Sequence, residues 1–85
     1  MGHTRDELVE TLARHVGTSP LDAAEVDSVL ALAAAVAHGT GDRTSAPLAS
    51  FLAGIAAAAA PDRAASLDEI RRYAAEFLSP ATPNS

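Results

Sequence analysis

The sequence contains no cysteine, no tryptophan and no lysine, and these absences exclude particular kinds of site. Without cysteine there is neither a disulfide nor a thiolate ligand for a metal ion. Without lysine, a phosphate-binding loop of the Gly-x-x-x-x-Gly-Lys type cannot be completed. The basic residues are six arginines against eleven acidic residues, for a formal charge of −5. Because nucleic-acid-binding domains normally carry a basic face, no nucleic acid is expected as a partner.

Long apolar runs are also missing. The most apolar window, 46–60, contains Pro47 and Ser50 and is shorter than the roughly 20 apolar residues that span a bilayer. The first residues carry charges and lack the apolar segment of a signal peptide. The sequence therefore predicts a soluble, cytoplasmic protein that does not contact a membrane, and it predicts that 46–60 is a buried helix.

Alanine is abundant instead and supplies 21 of the 85 residues. It has the highest helix propensity, but its side chain buries little apolar area. We therefore expect closely packed helices around a modest core in a single domain, 1–85. A homodimer, or a larger partner protein, would supply the burial that such a core lacks.

Four amphipathic helices are predicted at about 5–15, 25–38, 46–60 and 66–78, followed by a frayed tail over 79–85. Ser/Thr-x-x-Glu capping boxes are predicted to open the first and fourth helices, at Thr4 and Ser66, with Pro61 as an alternative start for the fourth. Gly17 and Gly39 are predicted to end the first two helices.

Apolar residues recur at helical spacing in each segment, which predicts a compact, all-α four-helix bundle with short loops. Gly54 is expected to let another helix approach closely. The stripes should meet in one shared core, and its large members are predicted to be Leu8, Leu12 and Val16, then Val26, Val29, Leu30 and Val36 with Leu32 widening their stripe, then Leu48, Phe51, Leu52 and Ile55, and finally Leu67, Ile70, Phe77 and Leu78.

The most distinctive polar residues lie around the loop between the second and third helices. His38 places an imidazole at a helix end, Arg43 places a guanidinium in the loop, and Pro47 begins the next apolar helix. We interpret the three as candidate docking residues for a partner or an anionic ligand. Capping by His38 and loop anchoring by Arg43 are the structural alternative.

A second candidate site is Asp27-Ser28-Val29-Leu30, which resembles the Asp-Ser-Leu motif of acyl carrier proteins. In those proteins the serine opens the second helix and carries a phosphopantetheine arm. Ser28 is accordingly the modified residue of an alternative carrier function. Its structural alternative is an ordinary first-turn residue of the second helix.

No catalytic or metal-binding pattern stands out. His3, His15 and His38 lie in different segments, and no two of them share an i, i+4 spacing. No Gly-x-Ser-x-Gly elbow is present. We therefore predict a protein that is not an enzyme, binds no metal and uses no cofactor.

Part of the sequence also resembles a family of uncharacterised small helical domains from actinobacteria. Domains of that family are encoded beside, or fused to, molybdenum-cofactor guanylyltransferases. The resemblance covers roughly 8–58 and rests on Val26-Asp27-Ser28-Val29-Leu30-Ala31-Leu32-Ala33, Ala37-His38-Gly39, Arg43, Ala46-Pro47-Leu48 and Phe51-Leu52-Ala53-Gly54.

This resemblance implies an accessory role in the supply of molybdopterin guanine dinucleotide. The implied partner is a nucleotidyltransferase or another maturation protein of molybdenum enzymes. We therefore predict a non-catalytic helical accessory or protein-interaction module. The alternatives are a carrier-like protein modified on Ser28 and a self-associating structural bundle.

Overall fold

The structure is a computed structural model that describes residues 2–79. These residues form four α-helices and no strand: α1 (Arg5–Val16), α2 (Ala23–Thr40), α3 (Ser45–Ala59) and α4 (Arg63–Leu78). The prediction of an all-α bundle is confirmed. Of the predicted tail, Ser79 is the C-cap of α4, and 80–85 lies outside the described residues.

Helix α1 begins and ends at the predicted signals. The backbone N–H of Glu7 donates to the Thr4 hydroxyl at 3.0 Å, and the Thr4 N–H donates to the Glu7 carboxylate at 2.9 Å. Gly17 follows the helix in the left-handed conformation, with φ of 81°. The capping box and the glycine cap of α1 are therefore confirmed.

Helix α2 is longer than predicted at both ends. It begins after Asp22, whose side chain and that of Glu25 form a reciprocal capping box with distances of 2.8 and 2.9 Å. It continues through Gly39 and ends before Gly41, which has a φ of 69°. The prediction that Gly39 ends the helix is wrong, since Gly41 takes that role.

The start of α4 lies between the two predicted alternatives. Asp62 caps the helix by accepting a hydrogen bond from the Ala65 N–H at 3.1 Å. Ser66 therefore lies inside the first turn and does not open a capping box. Pro61 precedes the cap.

The core lies where α2, α3 and α4 meet, and it is small. Its buried members are Leu32 and Val36 from α2, and Leu67 and Ala74 from α4, joined by alanines of α3. No described side chain is less than 2% exposed. The predicted modest, alanine-rich core is what the helices form.

Most of the predicted large core residues nevertheless face solvent, so the prediction of one shared apolar interior is wrong for them. Phe51 is 70% exposed, Phe77 71% and Leu30 47%. Of the predicted core, the exposed residues are Leu8, Leu12, Val16, Leu30, Leu48, Phe51, Leu52, Ile55 and Phe77.

Helix α3 is the clearest case of this inversion. Ala53 and Ala57, each 2% exposed, face the core, while Leu48, Phe51 and Ile55 point away from it. Alanines one turn apart allow closer approach of neighbouring backbones than larger side chains would. The helices thus meet on the small residues of α3, and the large ones are left outside.

Close approach through a glycine occurs at Gly39 and not at Gly54, where it was predicted. A Cβ on Gly39 would lie 2.6 Å from the Cβ of Leu78, so only glycine lets α4 pass at this point. No atom of another element lies within 4 Å of the position that a Cβ on Gly54 would take. Gly39 therefore has a packing role inside α2.

Helix α1 is set apart from the other three helices. Within the described chain, no Cα of α1 lies within 8 Å of a Cα of α2, α3 or α4. Ala13 is buried and Val9 is half-buried, so contact is made through side chains alone. The result is an open groove between α1 and the rest of the bundle.

Candidate protein-binding surfaces

The three predicted docking residues, His38, Arg43 and Pro47, are all exposed. His38 lies two residues beyond buried Val36, which is about 200° around the helix, so it projects from the opposite side of α2. Arg43 lies in the loop, and Pro47 is in the first turn of α3. None of the three lines either of the grooves described below.

The loop that carries Arg43 is held by its neighbours. The Asp42 carboxylate accepts hydrogen bonds from the Thr44 hydroxyl at 2.7 Å and from the Thr44 N–H at 2.9 Å. These two bonds lower the pKa of Asp42 below its ordinary value. Asp42, rather than Arg43, therefore anchors the loop.

Ser28 does not occupy the position that a carrier serine requires. It lies in the second turn of α2, on the buried side of the helix, and is 8% exposed. A serine that receives a phosphopantetheine arm must be reached by a transferase. The burial of Ser28 argues against the carrier alternative and fits a helix residue packed on the core.

A concave surface lies beside α1, and we call it the α1 groove. Its volume is about 640 Å³. Val9, Leu12 and Val16 form one wall. The opposite wall is also apolar and consists mainly of Val29, Gly54, Ala57, Ala58 and Leu67.

Arg63 lies at one end of the α1 groove and joins α4 to the start of α2. Its guanidinium donates to both carboxylate oxygens of Glu25, at 2.5 and 2.8 Å, in a bidentate pair. It also donates to the backbone carbonyls of Ser19 and Pro20, at 3.3 and 3.0 Å. One arginine therefore ties together α2, α4 and the connector that leads from α1.

Glu25 and Arg63 each stabilise the charged form of the other. Glu25 is 4% exposed and Arg63 is 31% exposed. The hydrogen bond from Arg63 lowers the pKa of Glu25, although burial acts in the opposite direction. The hydrogen bond to Glu25 raises the pKa of Arg63. Arg63 is thus a structural cation with four of its five N–H donors engaged within the chain.

A second apolar surface covers the outward side of α3 and the neighbouring edge of α4. We call it the outer face and define it by Leu48, Phe51, Leu52, Ile55, Tyr73 and Phe77, which are 55–71% exposed. The rings of Tyr73 and Phe77 stack with centroids 5.9 Å apart. With Leu52 they also line a shallower groove of about 540 Å³.

Among the described residues outside these surfaces, few polar side chains are grouped as a potential site. His3, His15 and His38 are each exposed. Over residues 2–79 there is no group of three or more His, Asp or Glu side chains placed to hold a metal ion. Over the same residues, no helix is both long enough and apolar enough to cross a bilayer.

Comparison with known proteins gives one result. The chain matches no curated protein and no solved structure. One family model does match, and it covers residues 2–83, which is nearly the whole chain. The chain therefore belongs to the family described as "Domain of unknown function (DUF6457)".

Proposed function

We propose that the chain is a non-catalytic protein-interaction module that holds an apolar helix of a partner protein in the α1 groove. The observation that carries this proposal is the groove itself. It has apolar walls and a volume of about 640 Å³.

The chemistry of the groove favours an apolar peptide over a polar small molecule. The charged side chain at its end, Arg63, already donates to Glu25 and to two carbonyls. Helix-in-groove recognition needs apolar pockets for side chains at positions i, i+3 or i+4, and i+7, and it needs few polar contacts. The walls of the α1 groove meet that requirement.

The net charge of the chain favours a particular class of partner. The chain carries a formal charge of −5, and α1 contains three acidic residues, Asp6, Glu7 and Glu10, against two arginines. A negatively charged module attracts a basic partner and accelerates its association at low salt. The proposed ligand is therefore an amphipathic helix whose apolar face is flanked by basic residues.

The resemblance of 8–58 to domains associated with molybdenum-cofactor guanylyltransferases suggests the identity of the partner. We propose a nucleotidyltransferase, or another maturation protein of molybdenum enzymes, as the protein that supplies this helix. The sequence segments quoted above support this assignment. The α1 groove supports only the proposed mode of binding. The link to molybdenum-cofactor assembly rests on the sequence resemblance.

Binding to a purified molybdenum-cofactor guanylyltransferase tests the proposal, and α1 offers a matched pair of variants. Leu12 lines the groove and is 52% exposed, whereas Leu8 lies one turn earlier, is 59% exposed and does not line it. We expect Leu12→Asp to weaken binding by about 10-fold or more, because a carboxylate would be buried against the partner. Leu8→Asp should change binding far less.

Isothermal titration calorimetry measures both affinities, and circular dichroism verifies that each variant is folded. The molybdenum assignment fails if copurification brings down no protein of cofactor assembly and the affinity is weaker than about 1 mM. The groove assignment fails if Leu8→Asp and Leu12→Asp weaken binding equally.

The loop residues provide a second test of docking. A docking role for His38 and Arg43 is a proposal separate from the α1 groove, which neither residue lines. On that proposal, we expect His38→Ala and Arg43→Ala to weaken partner binding while leaving the melting temperature nearly unchanged, because both side chains are exposed. Thermal unfolding and calorimetry on the same samples separate the two effects. A sharp fall in melting temperature with binding intact would assign these residues to capping and loop anchoring.

A further inference from the structure

The outer face is an apolar surface that the monomer leaves uncovered. Helix α3 has alanines toward the core and leucine, isoleucine and phenylalanine toward solvent, so it is apolar on every side. A helix that is apolar all round is normally buried on all sides. The bundle covers one side of α3 and leaves the opposite side exposed.

The position of the outward residues fits a two-fold axis. Leu48, Phe51, Leu52 and Ile55 are spaced symmetrically about a point between Phe51 and Leu52, and Leu52 is the middle residue of α3. If two copies of α3 pack antiparallel about that point, Leu48 lies opposite the partner's Ile55, and Phe51 lies opposite the partner's Leu52. The stripe is thus complementary to itself, as an isologous interface requires.

The charges around this stripe also allow a second copy to bind. No residue of α3, from Ser45 to Ala59, is charged. Two chains that each carry a formal charge of −5 repel one another, and an uncharged contact keeps like charges from lying directly opposite. A surface with charges of one sign would not be self-complementary in this way.

The exposed area is sufficient for a stable dimer. If the dimer covers all of the exposed area of the six residues of the outer face, it buries roughly 800 Å² per protomer, which is the usual size for a specific interface. The groove lined by Leu52, Tyr73 and Phe77 lies beside the axis and has room for an aromatic ring. The partner's Phe51, opposite Leu52, is the side chain that would enter it.

We propose that two copies of this chain form a symmetric dimer through the outer face, with the two α3 helices antiparallel about an axis between Phe51 and Leu52. None of the six residues lines the α1 groove, so this dimer leaves that groove free. The proposal therefore goes beyond the proposed function, and each stands or fails on its own experiment.

Sedimentation velocity and light scattering of the full chain test the oligomeric state. We expect a mass of twice the 8.6 kDa of the chain. Phe51→Asp should raise the dissociation constant of the dimer by about 100-fold or more, because the interface is disrupted twice per dimer. The matched control is Leu30→Asp, a change at an exposed apolar residue of α2 outside the outer face. It should leave the dissociation constant within a few-fold of the original.

Two results overturn the proposal. One is a monomer at every concentration up to about 1 mM. The other is a dimer that Phe51→Asp and Leu30→Asp affect to the same extent. Both residues are exposed in the monomer, so neither substitution removes core packing, and circular dichroism verifies the fold of each variant.

Disulfide cross-linking tests the antiparallel register independently of mutational weakening. Because the chain has no cysteine, only introduced thiols can react. The double variant Leu48→Cys, Ile55→Cys should form a covalent dimer under mild oxidation. Leu48→Cys alone should cross-link far less, since its two copies would be about 10 Å apart along the helix axis, beyond the reach of a disulfide. Equal or greater cross-linking of the single variant contradicts the antiparallel register.

Discussion

Replacing Arg63 with alanine should lower the free energy of unfolding by about 3 kcal/mol, because it leaves the buried Glu25 carboxylate without its cation. The substitution also removes the donors to the carbonyls of Ser19 and Pro20. We place the loss toward the lower end of the range for buried pairs because Arg63 is about one-third exposed. Urea unfolding followed by circular dichroism measures it.

The matched control for this experiment is Arg72→Ala. Arg72 is in the same helix and pairs with Asp68 at 3.1 Å, but the side chains are 66% and 43% exposed. Solvent screens such a pair and it contributes little. We therefore expect a nearly unchanged unfolding midpoint for Arg72→Ala. Equal losses for the two variants would show that the burial of Glu25 does not strengthen its pair with Arg63.

The pH dependence of stability gives an internal check on the same pair. Arg63 lowers the pKa of Glu25, so the stability that the pair supplies is complete above the ordinary glutamate pKa and is lost as the pH falls through the lowered value. In Arg63→Ala, burial raises the pKa of Glu25 instead. The difference in unfolding free energy between the two proteins should therefore narrow as the pH is lowered.

Leu32→Ala should destabilise the protein by about 3 kcal/mol, since it leaves a cavity among the few large side chains of the core. Leu32 is 2% exposed and contacts the buried cluster of α2, α3 and α4. Leu30 provides the control because it is the same residue type in the same helix and is 47% exposed. We expect less than about 1 kcal/mol for Leu30→Ala.

The small loss expected for Leu30→Ala differs from what the sequence suggests. By periodicity, Leu30 and Phe51 are core residues whose truncation would cost about 2–5 kcal/mol. Their exposure in the structure predicts small losses for the monomer instead. Denaturant unfolding at low protein concentration, where a dimer dissociates, measures the monomer alone. Similar large losses for Leu30→Ala and Leu32→Ala would show that the orientation of α2 described here is wrong.

The parts of the fold that the sequence predicts correctly are those that short-range interactions determine. Thr4, Glu7 and Gly17 lie within one or two turns of the groups that they cap, so their pattern suffices to place α1. The same type of signal is present at Asp22 and Glu25, although the sequence reading placed the start of α2 at Glu25. Recognising Asp-x-x-Glu as a capping box would have found the correct start.

Periodicity alone could not predict which side of each helix is buried. In α3 the alanines 49, 53 and 57 form a stripe just as regular as the one that contains Leu48 and Phe51. Burial of apolar area favours turning the stripe with Leu48 and Phe51 toward the core. Close approach of the helix backbones favours turning the alanine stripe toward it. Only the packing of α3 against α2 and α4 decides between them, and it buries Ala53 and Ala57.

The candidate site was missed for a related reason. Glu25 and Arg63 are 38 residues apart, and nothing in either local sequence marks them as partners. The α1 groove depends on the separation of α1 from the bundle, which no residue pattern encodes. His38, Arg43 and Pro47 were correctly expected near one loop, since they are close in sequence. In the structure, none of these three residues lines either groove.

The alanine contacts of α3 have an entropic consequence for recognition. A methyl side chain has no rotamer to lose, so the meeting of α3 with its neighbours at Ala53 and Ala57 orders the backbone without freezing any χ angle. It also leaves no side-chain adjustment by which α3 could shift. Phe51 and Ile55 therefore project from a helix that is already ordered. Binding to them costs little conformational entropy of that helix.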